Sequence, residues 1–393
     1  MWPGRTRNLE RPPIAKINAL AHELEAQGRP LINLGQAVLG LPPPQRALQR
    51  VHQYLENTET HGYCPDPGLP SLREATAAFL SSKKNIKDAT ASRVMLTCGA
   101  NQAFVNGLLA VTMPGDEVII FAPYYFDHVF AVKLAGCRPV EVELAFSEGR
   151  YHIDFTRLKK ALSPRTRAVV LVSPGNPTGR VAEVDEIKTL CELCGRDDLW
   201  LLSDETYDLL TFPPAAHVSP AAISPTERTI VLGSFSKTFG LAAWRIGYLY
   251  GPNPEFIEET IKVQDALVVC APVPSQMAAL GALEEVDTYV PEAVKELTLR
   301  KDSLIAALKS CRTLEAIEPH GSTSVLARIA TPVFEDAFAY SRSLLQNQGV
   351  ITVPGSAFGP HGEGHVRLSF GNQPPSVIAR AGERIRRFES SRA

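Results

Sequence analysis

Long hydrophobic runs are missing from this chain. No apolar stretch approaches the roughly 20 residues that cross a bilayer, so no membrane partner is expected. An excess of one charge is missing too. The 40 Lys and Arg and 42 Asp and Glu residues leave a formal net charge of −2, which gives no electrostatic reason to bind nucleic acid or an anionic surface. Cysteines are few: seven, scattered and odd in number, do not make a disulfide framework and fit a reducing compartment. Met1-Trp2-Pro3-Gly4-Arg5 is not followed by the apolar segment of a secretory leader, so a cytoplasmic protein is expected. Cys191 and Cys194 form a C-x-x-C, but no second pair or nearby histidine completes a zinc site, and the pair falls in a helical pattern over 184–194. His361 and His365 flank Gly362-Glu363-Gly364, a loop and not a helix that could put two histidines on one face. No metal is expected.

What is present is an ordinary globular composition, 45% hydrophobic and 21% charged. At 393 residues the chain is too long for one compact core, and two domains are expected. Short apolar runs at 94–97, 117–121, 139–143, 168–172, 199–203, 229–233 and 246–250 alternate with amphipathic segments such as 102–111 and 185–194. This alternation predicts an α/β fold, a mainly parallel sheet covered by helices on both faces. After about residue 290 the rhythm changes to a long helix, short strands near 324–329, 350–353 and 366–370, and a final helix, which reads as a smaller α+β domain. Leu41-Pro42-Pro43-Pro44 reads as a stiff connector.

The chemistry concentrates just after the predicted strands, where open α/β sheets bind ligands. Ser234-Phe235-Ser236-Lys237-Thr238-Phe239-Gly240 follows the strand at 229–233, and Trp244-Arg245-Ile246-Gly247 comes shortly after. The hydroxyls of Ser234 and Ser236 can donate to an anion that Arg245 grips bidentately. A lysine amine beside a fixed phosphate is the arrangement that forms a Schiff base with pyridoxal phosphate. Gly99-Ala100-Asn101 follows the strand at 94–97 and opens a helix whose first N–H groups suit a phosphate. Asp204 ends another apolar strand; alone it would read as a helix cap, but a carboxylate there can also keep a pyridine nitrogen protonated.

Four ordered segments carry a resemblance: the lysine segment with Trp244-Arg245, Ser173-Pro174-Gly175-Asn176-Pro177-Thr178-Gly179, Asp204-Glu205-Thr206-Tyr207, and His365-Val366-Arg367-Leu368-Ser369-Phe370-Gly371. Together they resemble the class I/II aminotransferases, the aspartate-aminotransferase-like group of fold type I. The resemblance runs from about Ile32 to the C-terminus and implies a seven-stranded sheet in an α/β/α large domain over 46–290. It implies a small domain from 1–45 and 291–393. It implies pyridoxal 5'-phosphate as cofactor, with Lys237 forming the Schiff base and then moving the substrate's α-proton. Asp204 pairs with the ring nitrogen, Asn176 and Tyr207 with the ring hydroxyl, and Tyr125 lies on the ring face. Gly99, Ala100, Asn101, Ser234, Ser236 and Arg245 hold the phosphate. Arg367, Asn176 and the Gly35 backbone receive the substrate carboxylate. Tyr63 reaches the phosphate of a neighbouring subunit, which makes the active unit a homodimer with shared sites.

Two departures from the family pattern bear on substrate. Many relatives carry Gly-x-Pro-Asp-Phe where this chain has Gly35-Gln36-Ala37-Val38-Leu39, and one bacterial branch has a lysine where this chain has Asn101. In the family the first loop lies over the substrate side chain, and here it has lost a carboxylate and gained apolar groups. The second change puts an uncharged amide where a cation would pair with a second carboxylate, and both argue against a dicarboxylic donor. The segments 99–106, 123–126 and 263–265 are similar to a branch acting on methionine and aromatic amino acids. The expectation is transfer from an aromatic or large neutral L-amino acid, such as Phe, Trp or Met, to a 2-oxo acid. An aspartate- or alanine-type aminotransferase and a C–S β-lyase on the same cofactor framework are the alternatives.

Overall fold

The computed structural model describes residues 4, 6, 9 and 12–390 apart from 58–60, 224–226 and 331–333. The leader reading at 1–3 therefore lies outside the described residues. All seven expected strands form one sheet, in the order Val94–Thr97, Gly247–Tyr250, Thr229–Ser234, Trp200–Asp204, Thr166–Val172, Glu117–Ala122, Arg138–Glu143. Interior strands such as Glu117–Ala122 are buried on both faces, which is why they read as continuous apolar runs and not as alternating ones. At one edge Arg138–Glu143 places Arg138, Glu141 and Glu143 at or near the surface, a pattern that discourages further strand pairing.

Gly247–Tyr250 alone runs antiparallel to its neighbours, and this one reversal assembles the site. Because it runs backwards, its first residue lies at the carboxyl end of the parallel strands. Gly247 pairs with both Ser234 and Thr97. Arg245, two residues earlier, thus emerges beside the turn that leaves Thr97 and the turn that leaves Ser234.

A second sheet of four strands has the order Leu314–Ile317, Ser324–Ile329, His365–Ser369, Val353–Pro354, all neighbours antiparallel. Its core joins Leu297, Leu304 and Leu308 of the helix Val286–Lys309 to Ile378, Ile385 and Phe388 of the helix Pro375–Ser390. The N-terminal helix Ile14–Ala26 packs Ile17, Ala21 and Leu24 with Leu345 and Ile351. Ile32–Asn33 pairs in parallel with Val350–Ile351.

Some boundaries differ from the expectation. The strand expected at 350–353 is two short pieces serving different sheets, Val350–Ile351 and Val353–Pro354, because the backbone changes partner between them. The long helix starts at Val286, ahead of residue 290. The strand expected at 199–203 extends through Asp204, whose backbone still pairs with Val172 and Leu232. The helix expected from 102 begins at Ala100 with Gly99 as its cap. A hairpin, Ala145–Ser147 with Arg150–His152, was not expected.

Candidate active site

The carboxyl ends of five strands of the large sheet, the segment from Gly35 to Val38 and Arg367 of the four-stranded sheet line a cavity of about 300 Å³. Lys237, Asp204, Tyr207, Arg245, Asn176 and Arg367 all line it, as do Ser234, Ser236, Ala100, Asn101, Tyr125 and Gly35. Gly99 lies one residue behind the wall. Tyr63 does not line it; its side chain is 85% exposed.

Lys237 Nζ donates to the Ala37 carbonyl at 2.9 Å. Burial, followed by the nearby Arg367 and Arg245 cations, lowers the amine to about 8. The lysine therefore reaches its neutral, reactive form at much lower pH than a solvated one. Asp204 shows the opposite balance. Burial pushes its carboxyl up, but His128 and the Thr206 N–H more than offset this and hold it below its ordinary value. His128 Nε2 lies 3.0 Å from Asp204 Oδ2, and the Thr206 N–H donates to Oδ1 at 3.0 Å.

The two arginines are held without carboxylate partners among the described residues. Arg245, itself at a left-handed φ of 52°, donates to the carbonyls of Ala242 at 3.0 Å and Cys98 at 3.4 Å. Arg367 is buried; its guanidinium donates to Asn176 Oδ1 at 3.0 Å and to the Gly35 carbonyl at 2.5 Å, while Nε has no partner. Gly35 arrives there because the backbone of Leu34 is tied to Ile351 and Ser369. Tyr125 donates to Asp127 Oδ2 at 2.5 Å. Burial, with the Asp127 charge behind it, raises its phenol well above the usual range.

These residues fit an anionic carbonyl cofactor. Gly99 has a φ of +85°, and a Cβ there would fall 2.6 Å from Arg245 Nη2, so only glycine lets the guanidinium lie against the helix start. The first N–H groups of Ala100–Val111 have no acceptor within the helix, and they converge with Arg245, Ser234 and Ser236 on one end of the cavity. Two arginines without carboxylate partners, an amine of lowered basicity and a buried carboxylate are the complementary groups for a phosphate, a second carboxylate, an aldehyde and a ring nitrogen.

His128 went unforeseen in the sequence. It is buried in the helix Phe126–Leu134, with its ring stacked on Phe104 at 4.2 Å and edge-on to Tyr125 at 5.3 Å. Its signal was its place, three residues after Tyr125 and so on the same helical side. Cys191 and Cys194 are on the buried face of the helix Val184–Arg196, where burial raises their thiols to about 11 and about 12.

The fold and site define an α/β enzyme that holds an anionic carbonyl cofactor against a buried lysine. Residues 29–385 match the family model "Aminotransferase class I and II". The chain is 32% identical over 392 residues to an aromatic aminotransferase of Arabidopsis thaliana, covering 98% of this chain and 96% of that one. It is 34% identical over 356 residues to the aspartate/prephenate aminotransferase of Thermus thermophilus, with 90% of each covered. It is similar in structure to a mutant Thermus thermophilus aspartate aminotransferase, with a TM-score of 0.92, 32% identity and 99% of both chains covered. The chain belongs to the class I and II aminotransferases, of fold type I. It is a transaminase, and its cofactor is pyridoxal phosphate.

Proposed function

We propose that this enzyme takes the amino group of an aromatic or large neutral L-amino acid, such as Phe, Trp or Met, and passes it to a 2-oxo acid. The observation that carries the reading is the cavity lining: Ile14, Ala37, Val38, Phe126 and Tyr125 are apolar or aromatic, and among the described residues its lysines and arginines are Lys237, Arg245 and Arg367. Two cations serve one phosphate and one α-carboxylate. A donor with a further carboxylate would find no third cation for it among the described residues of this chain, whereas an apolar side chain finds apolar walls.

Pyridoxal phosphate supplies an aldehyde that condenses with amines and a ring that withdraws electrons. Arg245, Ser234, Ser236 and the backbone at Gly99, Ala100 and Asn101 would hold its phosphate. Asp204 would keep a proton on the ring nitrogen, with its carboxylate held in place by His128. Asn176 and Tyr207 would hold the ring hydroxyl, and Tyr125 would pack on the ring. Arg367, with Asn176 and Gly35, fixes the donor carboxylate bidentately and so orients the α-hydrogen. Lys237 Nζ would take up the proton from the donor's α-carbon and, in the reverse half-reaction, deliver one to the α-carbon of the acceptor; burial and the two arginines, which lower the amine to about 8, favour the neutral form this requires.

The same reading takes 46–290 as the cofactor domain, and 1–45 with 291–393 as the small domain. It makes the active unit a homodimer in which Tyr63 serves the second subunit's cavity; its 85% exposure in the single chain supports this. A second reading, aspartate or prephenate chemistry, is favoured by the aspartate/prephenate relative. Half-reactions decide. Phenylalanine, tryptophan and methionine should bleach the cofactor's absorbance faster than aspartate or glutamate, and a 2-oxo acid should restore it. Faster bleaching by aspartate overturns the donor assignment.

A further inference from the structure

We infer that Asp127 is a specificity-determining residue that discriminates by charge against donors with a second carboxylate. The inference rests on the donor class proposed above and deepens it. Asp127 is half-buried in the first turn of the helix Phe126–Leu134, between two residues that line the cavity, Phe126 on its own helix and Asn101 on the neighbouring one. One of its oxygens, Oδ2, accepts both the Tyr125 hydroxyl at 2.5 Å and the Asn101 amide at 2.9 Å. The Tyr125 hydroxyl also lies 3.5 Å from Asn101 Oδ1, closing a small ring of three side chains.

Neither neighbour neutralises the carboxylate. Tyr125 and Asn101 are neutral donors, Tyr125 firmly so because burial and Asp127 both oppose its ionisation. No lysine, arginine or histidine forms an ion pair with Asp127 among the described residues, and His128, next in sequence, is turned toward Asp204. The two lining side chains therefore present neutral surfaces to the cavity with one net negative charge directly behind them. A distal carboxylate resting against Asn101 or Tyr125 sits one side chain away from that charge. The field of a single charge in a partly desolvated site still acts at such a separation, whereas a phenyl, indole or thioether group feels little of it.

Asp127→Asn tests this with little change of shape, because the amide oxygen can still accept from Tyr125 and Asn101. Binding is read on the cofactor-loaded enzyme with two inhibitors, succinate as a dicarboxylate and 3-phenylpropionate as a monocarboxylate. The ratio of their Kd values should move about tenfold toward succinate, and the kcat/KM ratio of aspartate to phenylalanine should rise by a similar factor. Both shifts should shrink in about 0.5 M salt. Asp127→Ser, which removes the charge together with the ring of hydrogen bonds, should shift both ratios in the same direction. Ratios that stay within twofold of the starting enzyme in both variants, or ligands of both charges gaining equally, overturn the inference. Failure of the donor class is seen separately, as aspartate outrunning phenylalanine in the unsubstituted enzyme, while the Asp127 assignment is judged on the change in ratio alone.

Discussion

Asp204 and Glu205 are adjacent acids at the end of one strand, 5% and 0% exposed, yet their surroundings could hardly differ more. The extended backbone sends them to opposite sides. Glu205 points into the core, where Lys84 Nζ lies 2.8 Å away and the hydroxyls of Ser203 and Ser219 donate at 2.9 and 2.7 Å. His217 Nε2 is 3.1 Å from it, and Lys84 also pairs with Asp208 at 2.5 Å and donates to Tyr248 at 3.2 Å. Burial pushes the Glu205 carboxyl up, but Lys84 and His217 overwhelm that and hold it far below the usual range. Asp204 points into the cavity with one imidazole and one N–H as partners. The buried charge that serves structure is saturated with partners. The buried charge that faces the cavity keeps room for one more.

That contrast can be broken. The largest effect is expected from Lys237→Ala on the cavity side: turnover should fall by ~10⁴-fold or more, with a thermal midpoint unchanged or higher, since a desolvated amine is removed. Turnover surviving the change would end the assignment of the proton-moving group. Asp204→Asn should cost about 10³-fold in kcat/KM with a small change in melting temperature, measured by steady-state kinetics and calorimetry side by side. On the core side the expectations reverse. Lys84→Met leaves Glu205 and Asp208 buried without their amine and should cost about 3–5 kcal/mol of stability in denaturant titration, with kcat per folded molecule within about threefold. If Lys84→Met instead silences a well-folded enzyme, the division between the two faces is wrong.

The smallest effect is a pH dependence that sharpens the cavity side. Burial and the neighbouring arginines disfavour the protonated Lys237, so the neutral amine gains as pH rises, is half-formed near 8 and is complete well above it. The rate of cofactor incorporation into cofactor-free protein should climb to a plateau with that midpoint. Arg367→Met removes one repelling cation and should move the midpoint upward.

The sheet was legible because its strands are buried on both faces and punctuated by glycine and proline; the seven runs 94–97 to 246–250 each correspond to a strand within two residues at either end. Lys237, Asp204, Asn176, Tyr207, Arg245 and Arg367 were legible as motifs, and the structure brings them to one cavity. The partners behind them were not. His128 and Asp127 sit inside a helix whose sequence, Phe-Asp-His-Val-Phe, looks like any amphipathic start, and only tertiary packing against Asp204 and Asn101 gives them meaning. Lys84 is 121 residues from Glu205 along the chain, a separation no periodicity can bridge. The hairpin at 145–152 was missed because its strands are three residues each, although Glu148-Gly149 marks its turn.

The helix Val286–Lys309 carries a consequence of its own. Its first turns, through Val286, Tyr289 and Val290, pack on the hydrophobic cluster of Leu72, Leu96 and Tyr248, while Leu297, Leu304 and Leu308 belong to the cluster of the four-stranded sheet. Pro291 removes one backbone hydrogen bond between the two halves without ending the helix. Two cores thus share one rod. Melting either would strip a packing face from the rod that steadies the other, so heat should take both in a single cooperative transition, with a calorimetric enthalpy that matches the van't Hoff value.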